Sequence, residues 1–325
     1  MWVADAVDWL LELSIVGSFS RIGIAVRRRL GGWTDPPGDT LIGRTVLITG
    51  PTSGLGRQAT DELAALGARI VLVGRSEERL EEVRDELVAR HGDDRYPIVV
   101  ADLGSLESVR AGIERVLSTE DRLDVVIDNA GAIFAERSES PDGIESTLAV
   151  LVVGPFALVA GLMPLLRRTD GARVLAVTSG GMYTQPLHLD DLEWRNEDYS
   201  GTRAYARAKR AQVMLIREWA RRTSGGVTFT AMHPGWADTP GLSASLPGFS
   251  GVMRPILRSP SEGIDSLVWL AAAPVDPAFD GALVHDRRAR PLDRIPTTRA
   301  SAEERRELWQ RIVALARIED PAPDG

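Results

Sequence analysis

The chain of 325 residues contains no cysteine. Disulfides, zinc–thiolate sites and a thiol nucleophile are therefore excluded, and the composition fits a cytoplasmic setting. Histidine is scarce, with four residues and none paired at short spacing, which leaves little material for a metal site. There is no basic excess either: the net charge is -8, and nothing supplies the basic face that nucleic acid requires. The amino-terminal end has no uninterrupted apolar run, because Asp5, Asp8, Glu12 and Arg21 break it. Its basic cluster, Arg27-Arg28-Arg29, follows the apolar part, the reverse of a secretory signal.

What the amino-terminal end does have is amphipathic pattern. One or two helices ending at Gly31-Gly32 are expected, and Pro36-Pro37-Gly38 marks a linker within residues 34–39. These helices are expected to pack on the main domain; the alternative is a peripheral membrane contact through residues 1–30, with Trp2, Trp9 and Trp33 at the headgroups.

From Gly43 onward, short branched apolar runs alternate with longer helical patterns. The runs are Val46–Ile48, Ile70–Val73, Ile98–Val100, Val125–Ile127, Val174–Val177 and Val227–Ala231. Helical patterns include Glu77–Arg90 and Tyr205–Arg222. Continuous apolar strands between helices imply a doubly wound, parallel α/β sheet covered on both faces. A last helix is expected from the capping box Ser301-Ala-Glu-Glu304 to about Ile318. The expected organisation is an extension and linker (1–39), one Rossmann-like domain (40–290) and a carboxy-terminal segment with its helix (291–325).

Thr49-Gly-Pro-Thr-Ser-Gly-Leu-Gly56 stands between the first strand and the first domain helix. Glycines there allow a pyrophosphate to reach backbone N–H groups at a helix N-terminus, so Gly50, Thr52, Ser53, Gly54, Leu55 and Gly56 are candidate cofactor contacts. A tight structural turn is the plainer explanation, and the strand–turn–helix setting argues against it.

The spacing Thr-Gly-x-x-x-Gly-x-Gly resembles the short-chain dehydrogenase/reductase (SDR) family. Further landmarks follow in order: Asp102-Leu103 after the third strand, Asp128-Asn129-Ala130-Gly131 for the usual Asn-Asn-Ala-Gly, Ser179 after the fifth strand, Tyr205-Ala-Arg-Ala-Lys209, and His233-Pro-Gly-Trp-Ala-Asp-Thr239. The resemblance spans roughly Gly43 to Asp286. His233–Gly241, Leu246–Phe249, Ala176–Met182 and His285-Asp286-Arg287 resemble one branch of the family more closely.

The resemblance implies an NAD(P)-dependent oxidoreductase that interconverts a carbonyl and an alcohol, with Ser179, Tyr205 and Lys209 as catalytic residues. Tyr205 would exchange the proton. Lys209, one helical turn on, would favour the phenolate and hold the cofactor ribose. Ser179 would bond the substrate oxygen. Asp102 and Leu103 would meet the adenine; Asn129, Ala130, Gly131, Pro234, Gly235 and Thr239 would complete the cofactor cleft. Arg75 stands where an acid would pair with the ribose hydroxyls of NAD, so NADP(H) is expected to be preferred, with NAD(H) as the alternative.

One position departs from the family. Leu151, in Ala149-Val-Leu-Val-Val-Gly154, occupies the place of an Asn that helps hold a water in the proton relay. A dinucleotide-binding regulator without turnover is the alternative that Leu151 favours and the retained Ser179, Tyr205 and Lys209 oppose. Residues 240–260 read as a lid whose Leu242, Leu246, Phe249, Val252 and Met253 suggest a small apolar substrate. A homodimer through the helix carrying Tyr205 is a further implication of the resemblance.

Overall fold

The computed structural model describes residues 2–92, 95–223, 225–239, 248, 251, 253–274 and 276–322. Its centre is an eight-stranded sheet: β1 (Thr45–Thr49), β2 (Arg69–Gly74), β3 (Ile98–Val100), β4 (Val125–Asp128), β5 (Ala172–Val177), β6 (Val227–Met232), β7 (Leu283–His285) and β8 (Arg288–Arg290). The order is β3-β2-β1-β4-β5-β6-β7-β8. The chain runs outward from β1 through β3, then returns to β4 beside β1. That reversal opens a crevice at the carboxyl ends of β1 and β4, where ligands bind in doubly wound sheets.

Helices cover both faces. On one lie α4 (Gly54–Ala65), α5 (Glu77–His91) and α9 (Pro260–Ala272), packed through Leu63, Leu80, Leu87, Ile264 and Leu267. On the other lie α6 (Leu106–Thr119), α7 (Ser146–Arg167), α8 (Gly201–Arg222) and α10 (Ala302–Ala316). All five β1 residues are buried, the result of cover from both sides. Helix α7 is long and apolar enough to cross a membrane, yet it is buried inside the domain as a core helix.

Six strands lie where the apolar runs place them; β7 and β8 were not expected. The antiparallel β8 reads Arg-Ala-Arg and has no apolar pattern. Its two-residue turn puts Asp286 (φ 52°) and Arg287 (φ 55°) in left-handed conformations. Ion pairs rather than glycines hold this turn: Asp286 to Arg258 and Arg27, and Arg287 to Asp265.

The amino-terminal end forms three helices rather than one or two: α1 (Trp2–Glu12), α2 (Ile15–Phe19) and α3 (Arg21–Gly31). They pack on the domain with Asp8, Glu12 and Arg27 inward. Arg27 reaches Asp8, Glu12 and Asp286, each at 2.6 Å. Arg290 pairs with Asp8 at 2.7 Å, and Arg294 with Glu12. The apolar side chains Val3, Trp9, Leu10, Leu13, Ile15, Val16, Ile22 and Leu30 point outward and are exposed. Trp33 is not among them, because the Arg287 guanidinium lies 4.8 Å from its ring centre.

At the other end, α10 starts at the expected capping box and lies across α8 and α7. Trp309 is fully buried, edge-on to Phe156 (4.9 Å) and Trp219 (4.8 Å). Arg210 on α8 donates to the carbonyls of Leu292 (2.7 Å) and Thr298 (2.5 Å), fastening the segment that leads there. A dimer built by pairing α8 with its copy would have to displace this cover. Of the expected lid, residues 240–247, 249, 250 and 252 lie outside the described residues, so Leu242, Leu246, Phe249 and Val252 carry no structural account.

Candidate active site

The turn after β1 contains two left-handed glycines, Gly50 (φ 69°) and Gly54 (φ 55°). The three glycines answer to different constraints. At Gly56 a Cβ would lie 2.2 Å from the Gly50 carbonyl oxygen and 2.3 Å from Asn129 Nδ2, so the chain itself excludes a side chain there. At Gly54 a Cβ would meet nothing nearer than Thr239 at 3.7 Å, so that backbone faces open space. Only the second fits an approaching pyrophosphate; the third serves helix–strand packing. Ser53 precedes α4 without a capping side-chain bond, which leaves the positive end of that helix to a phosphate.

Asn129 braces the floor. Its Nδ2 donates to the carbonyls of Thr49 (2.9 Å) and Gly50 (3.2 Å). Thr49 Oγ1 accepts from the Asn129 and Ala130 amides, both at 3.0 Å. These bonds lock the ends of β1 and β4 together. Asp102 folds back on its own turn, its Oδ1 accepting from Gly104 N at 2.8 Å. Arg75 is exposed at the end of β2. The sequence reading missed Arg79, one helical turn further on, which borders the same cavity. The signal was the run Arg75-Ser-Glu-Glu-Arg79, which opens a helix with two arginines on one side.

Ser179, at the end of β5, caps a short helical turn. Tyr205 comes from the first turns of α8, is half-buried and borders the same open cavity as Ser179. Burial pushes the phenol up to about 12, against the hydrogen bond with Ser179. Lys209 is 2% exposed, and burial brings it down to about 8, opposed by the charge of Asp128. Its Nζ donates to the Val177 carbonyl (2.7 Å) and Gln212 Oε1 (3.1 Å), and lies 5.8 Å from the centre of the Tyr205 ring. The ammonium turns to the sheet and to Gln212, beside the Tyr205 ring.

The loop after β6 is fixed from an unexpected side. Phe19 of α2 stacks on His233 at 4.4 Å, and its carbonyl accepts from Trp236 N (2.8 Å) and Arg258 Nε (3.0 Å). Burial, with His285 and Arg258 nearby, holds His233 neutral, and its Nδ1 accepts from Gly235 N at 2.7 Å. Gly235 (φ 73°) has no room for a Cβ, which would fall 2.4 Å from Arg258 Nε. The amino-terminal helices thus help shape the wall that carries Pro234, Gly235 and Thr239.

Leu151 is fully buried in a π-helical stretch of α7, Ala149–Val153. It packs under the Asn129–Gly131 turn, 3.6 Å from where a Gly131 Cβ would stand. Ala149, Val152 and Val153 are buried with it.

All of the candidate catalytic and cofactor residues border one cavity of about 800 Å³, from Arg75 at one end to Ser179, Tyr205 and Trp236 at the other. That volume lies within the range of ligand and cofactor sites. A family model described as "short chain dehydrogenase" matches residues 44–190. Dehydrogenase/reductase SDR family member 12 of Bos taurus is 36% identical over 278 residues, which cover 85% of this chain and 87% of the relative. The chain belongs to the short-chain dehydrogenase/reductase family. Retinol dehydrogenase 13 of Homo sapiens is 29% identical over 328 residues, 97% of each chain. A solved short chain dehydrogenase from Escherichia coli CFT073, complexed with NADPH, superposes with a TM-score of 0.64 at 24% identity and covers 78% of this chain and 100% of that one. As an SDR protein it is an NAD(P)-dependent oxidoreductase acting on CH–OH groups. The residues present fit a dinucleotide: an open left-handed glycine, an uncapped helix start and a long cavity meet at one place.

Proposed function

We propose that this SDR enzyme reduces small apolar carbonyls with NADP(H), using Tyr205 as proton donor. The observation that carries the reading is that Ser179, Tyr205 and Lys209 border the same cavity as the glycine turn. When bound, the cofactor supplies the hydride. Gly54 and the start of α4 hold its pyrophosphate, and Asp102 and Leu103 border the adenine end. Ser179 orients the substrate oxygen. Tyr205, a neutral phenol at neutral pH, then gives that oxygen its proton. Lys209 is the neighbouring cation that steadies the phenolate left behind.

NADP(H) is favoured by Arg75 and Arg79, two exposed guanidinium groups at the cavity end where the extra phosphate of that cofactor would bind. The apolar substrate is supported by Ile133, Phe134 and Trp236 on the cavity wall, and by a relative whose name specifies retinol. The test is a panel of aldehydes and ketones read by loss of NADPH absorbance, beside titrations with NADP and NAD. Consumption of NADPH by an apolar carbonyl, with tighter NADP binding, is expected. Equal affinity for the two cofactors would remove the preference.

The exposed apolar side chains of α1–α3 favour a peripheral contact with an anionic lipid surface. Among the described residues, most of the exposed large apolar side chains gather there, beside exposed Arg21, Arg28 and Arg29. The protein is expected to float with anionic liposomes, and a Trp9→Ser/Leu10→Ser/Leu13→Ser variant to stay behind. Equal flotation of both would refute the contact. With α10 covering α8, any homodimer would use a different face.

A further inference from the structure

Behind Lys209, on the far side from the cofactor cavity, a second and much smaller cavity of about 30 Å³ lies between the sheet and its helices. Asp128, Leu151 and Gln212 line it, with apolar neighbours such as Phe156 and Trp219. The volume is about that of one water molecule. Asp128 ends β4, and its carboxyl group is buried. Its Oδ2 accepts from Gln212 Nε2 at 2.5 Å, and its Oδ1 has no hydrogen-bond partner in the protein. Gln212 Oε1 in turn accepts from Lys209 Nζ at 3.1 Å. An ammonium can only donate and a carboxylate can only accept, so the amide between them has one orientation. Three side chains from β4 and α8 thereby form a directed chain that ends on the lysine beside Tyr205.

Two departures from the family meet at this spot. Leu151 brings only carbon to the place of the relay Asn, and Asp128 replaces the first Asn of Asn-Asn-Ala-Gly. We propose that Asp128 is a positioning residue for proton transfer at Tyr205: through Gln212 it anchors Lys209, and its negative charge keeps that ammonium charged inside the protein. The polar service lost at Leu151 is met from the other side of Lys209. This rests on the reading of Tyr205 and Lys209 given above.

The groups that face the pair are few. Lys209 meets Tyr205 and Gln212 from its own helix, the Val177 carbonyl from β5 and Ser179, through Tyr205, from the turn after it. Asp128 is the charge that acts on Lys209, and Lys209 the charge that acts on Asp128. Burial pushes Asp128 up to about 6, opposed by Lys209 and Gln212. Both groups are therefore charged between about 6, for Asp128, and about 8, for Lys209. Removing the carboxylate leaves burial of the ammonium unopposed, so the lysine should lose its proton at lower pH.

The chain offers an unusually direct probe, because Lys209 is its only lysine. Protein without a tag, grown with ¹³Cε-lysine and free of cofactor, gives one lysine side-chain resonance to follow with pH. In the unmodified protein its midpoint should lie well below the ordinary lysine value, with a smaller inflection near the pH at which Asp128 titrates. In Asp128→Asn the midpoint should move to lower pH, a rise of roughly tenfold or more in the proton concentration at half-titration, and the small inflection should vanish. The alkaline limb of kcat/KM for carbonyl reduction should move down with it, while NADPH affinity at pH 6 stays unchanged. An unmoved midpoint in Asp128→Asn overturns the proposal. Should that variant fail to fold, a single-step titration of the unmodified protein, with no inflection from Asp128, overturns it equally. Neither result touches the role of Tyr205, which fails separately if Tyr205→Phe still turns over.

Discussion

Two clusters in this protein bury charge, and they do so differently. Around Asp286, each acid meets more than one base. Arg258 and Arg27 both reach its carboxylate, at 2.6 Å, and Asp8 lies between Arg27 and Arg290. Although burial pushes these acids up, His285 and the arginines hold Asp286 well below the usual carboxylate range, and Arg290 and Arg27 bring Asp8 down to about 2. Such a cluster does not titrate near neutral pH; it fastens the amino-terminal helices to the β7–β8 turn. Around Lys209 the compensation is thin. One acid and one base are separated by an amide, and their pKa values fall at about 6 and about 8, on either side of neutral pH. A fully paired buried cluster is structural. A sparsely paired one keeps its protons exchangeable, which is what acid–base chemistry needs.

The comparison can be broken at either cluster. The largest stability effect is expected at Arg258, which is 1% exposed and holds Asp286 together with the carbonyls of Ser18 and Phe19. Arg258→Met leaves the carboxylate short of a partner and should cost about 3–5 kcal/mol in a urea melt. A loss below about 1 kcal/mol would mean that the cluster is not what holds the extension. A smaller effect is expected at Leu151. Leu151→Asn places an amide among buried apolar groups and should cost about 1–3 kcal/mol, with no gain in turnover. A clear rate gain at unchanged stability would show that the missing Asn, and not Asp128, limits the enzyme.

The two clusters also differ in how far the sequence discloses them. The site residues were legible through the resemblance to the family, whose short motifs stand at the ends of strands and the starts of helices. Gly54, Ser179, Tyr205 and Lys209 are examples. The composition held a further clue: of 38 basic residues, one is a lysine. Arginine stays charged at any accessible pH, so a site that needs a tunable cation must keep a lysine even where every other basic position is arginine. The Asp286 cluster was not legible, because its members lie up to 282 residues apart in the chain. The amino-terminal end was read as one or two amphipathic helices packed on the domain, which leads one to expect the apolar side inward. Buried pairs to Arg290 and Arg294 turn them the other way. Strand β8 carries no apolar signal for the same reason. The link from Asp128 to Gln212 spans 84 residues and was missed too, although the substitution at Asp128 had marked the spot.

The central claim, that Tyr205 delivers the proton in a dinucleotide-dependent reduction, is tested most directly by Tyr205→Phe in the NADPH assay, with cofactor binding measured on the same sample. The phenol is lost while the ring that borders the cavity remains. Turnover on a good carbonyl substrate should fall on the order of 10²–10⁴-fold, with NADPH affinity and thermal stability close to the unmodified protein. Near-normal turnover by a variant that still binds NADPH would contradict the account.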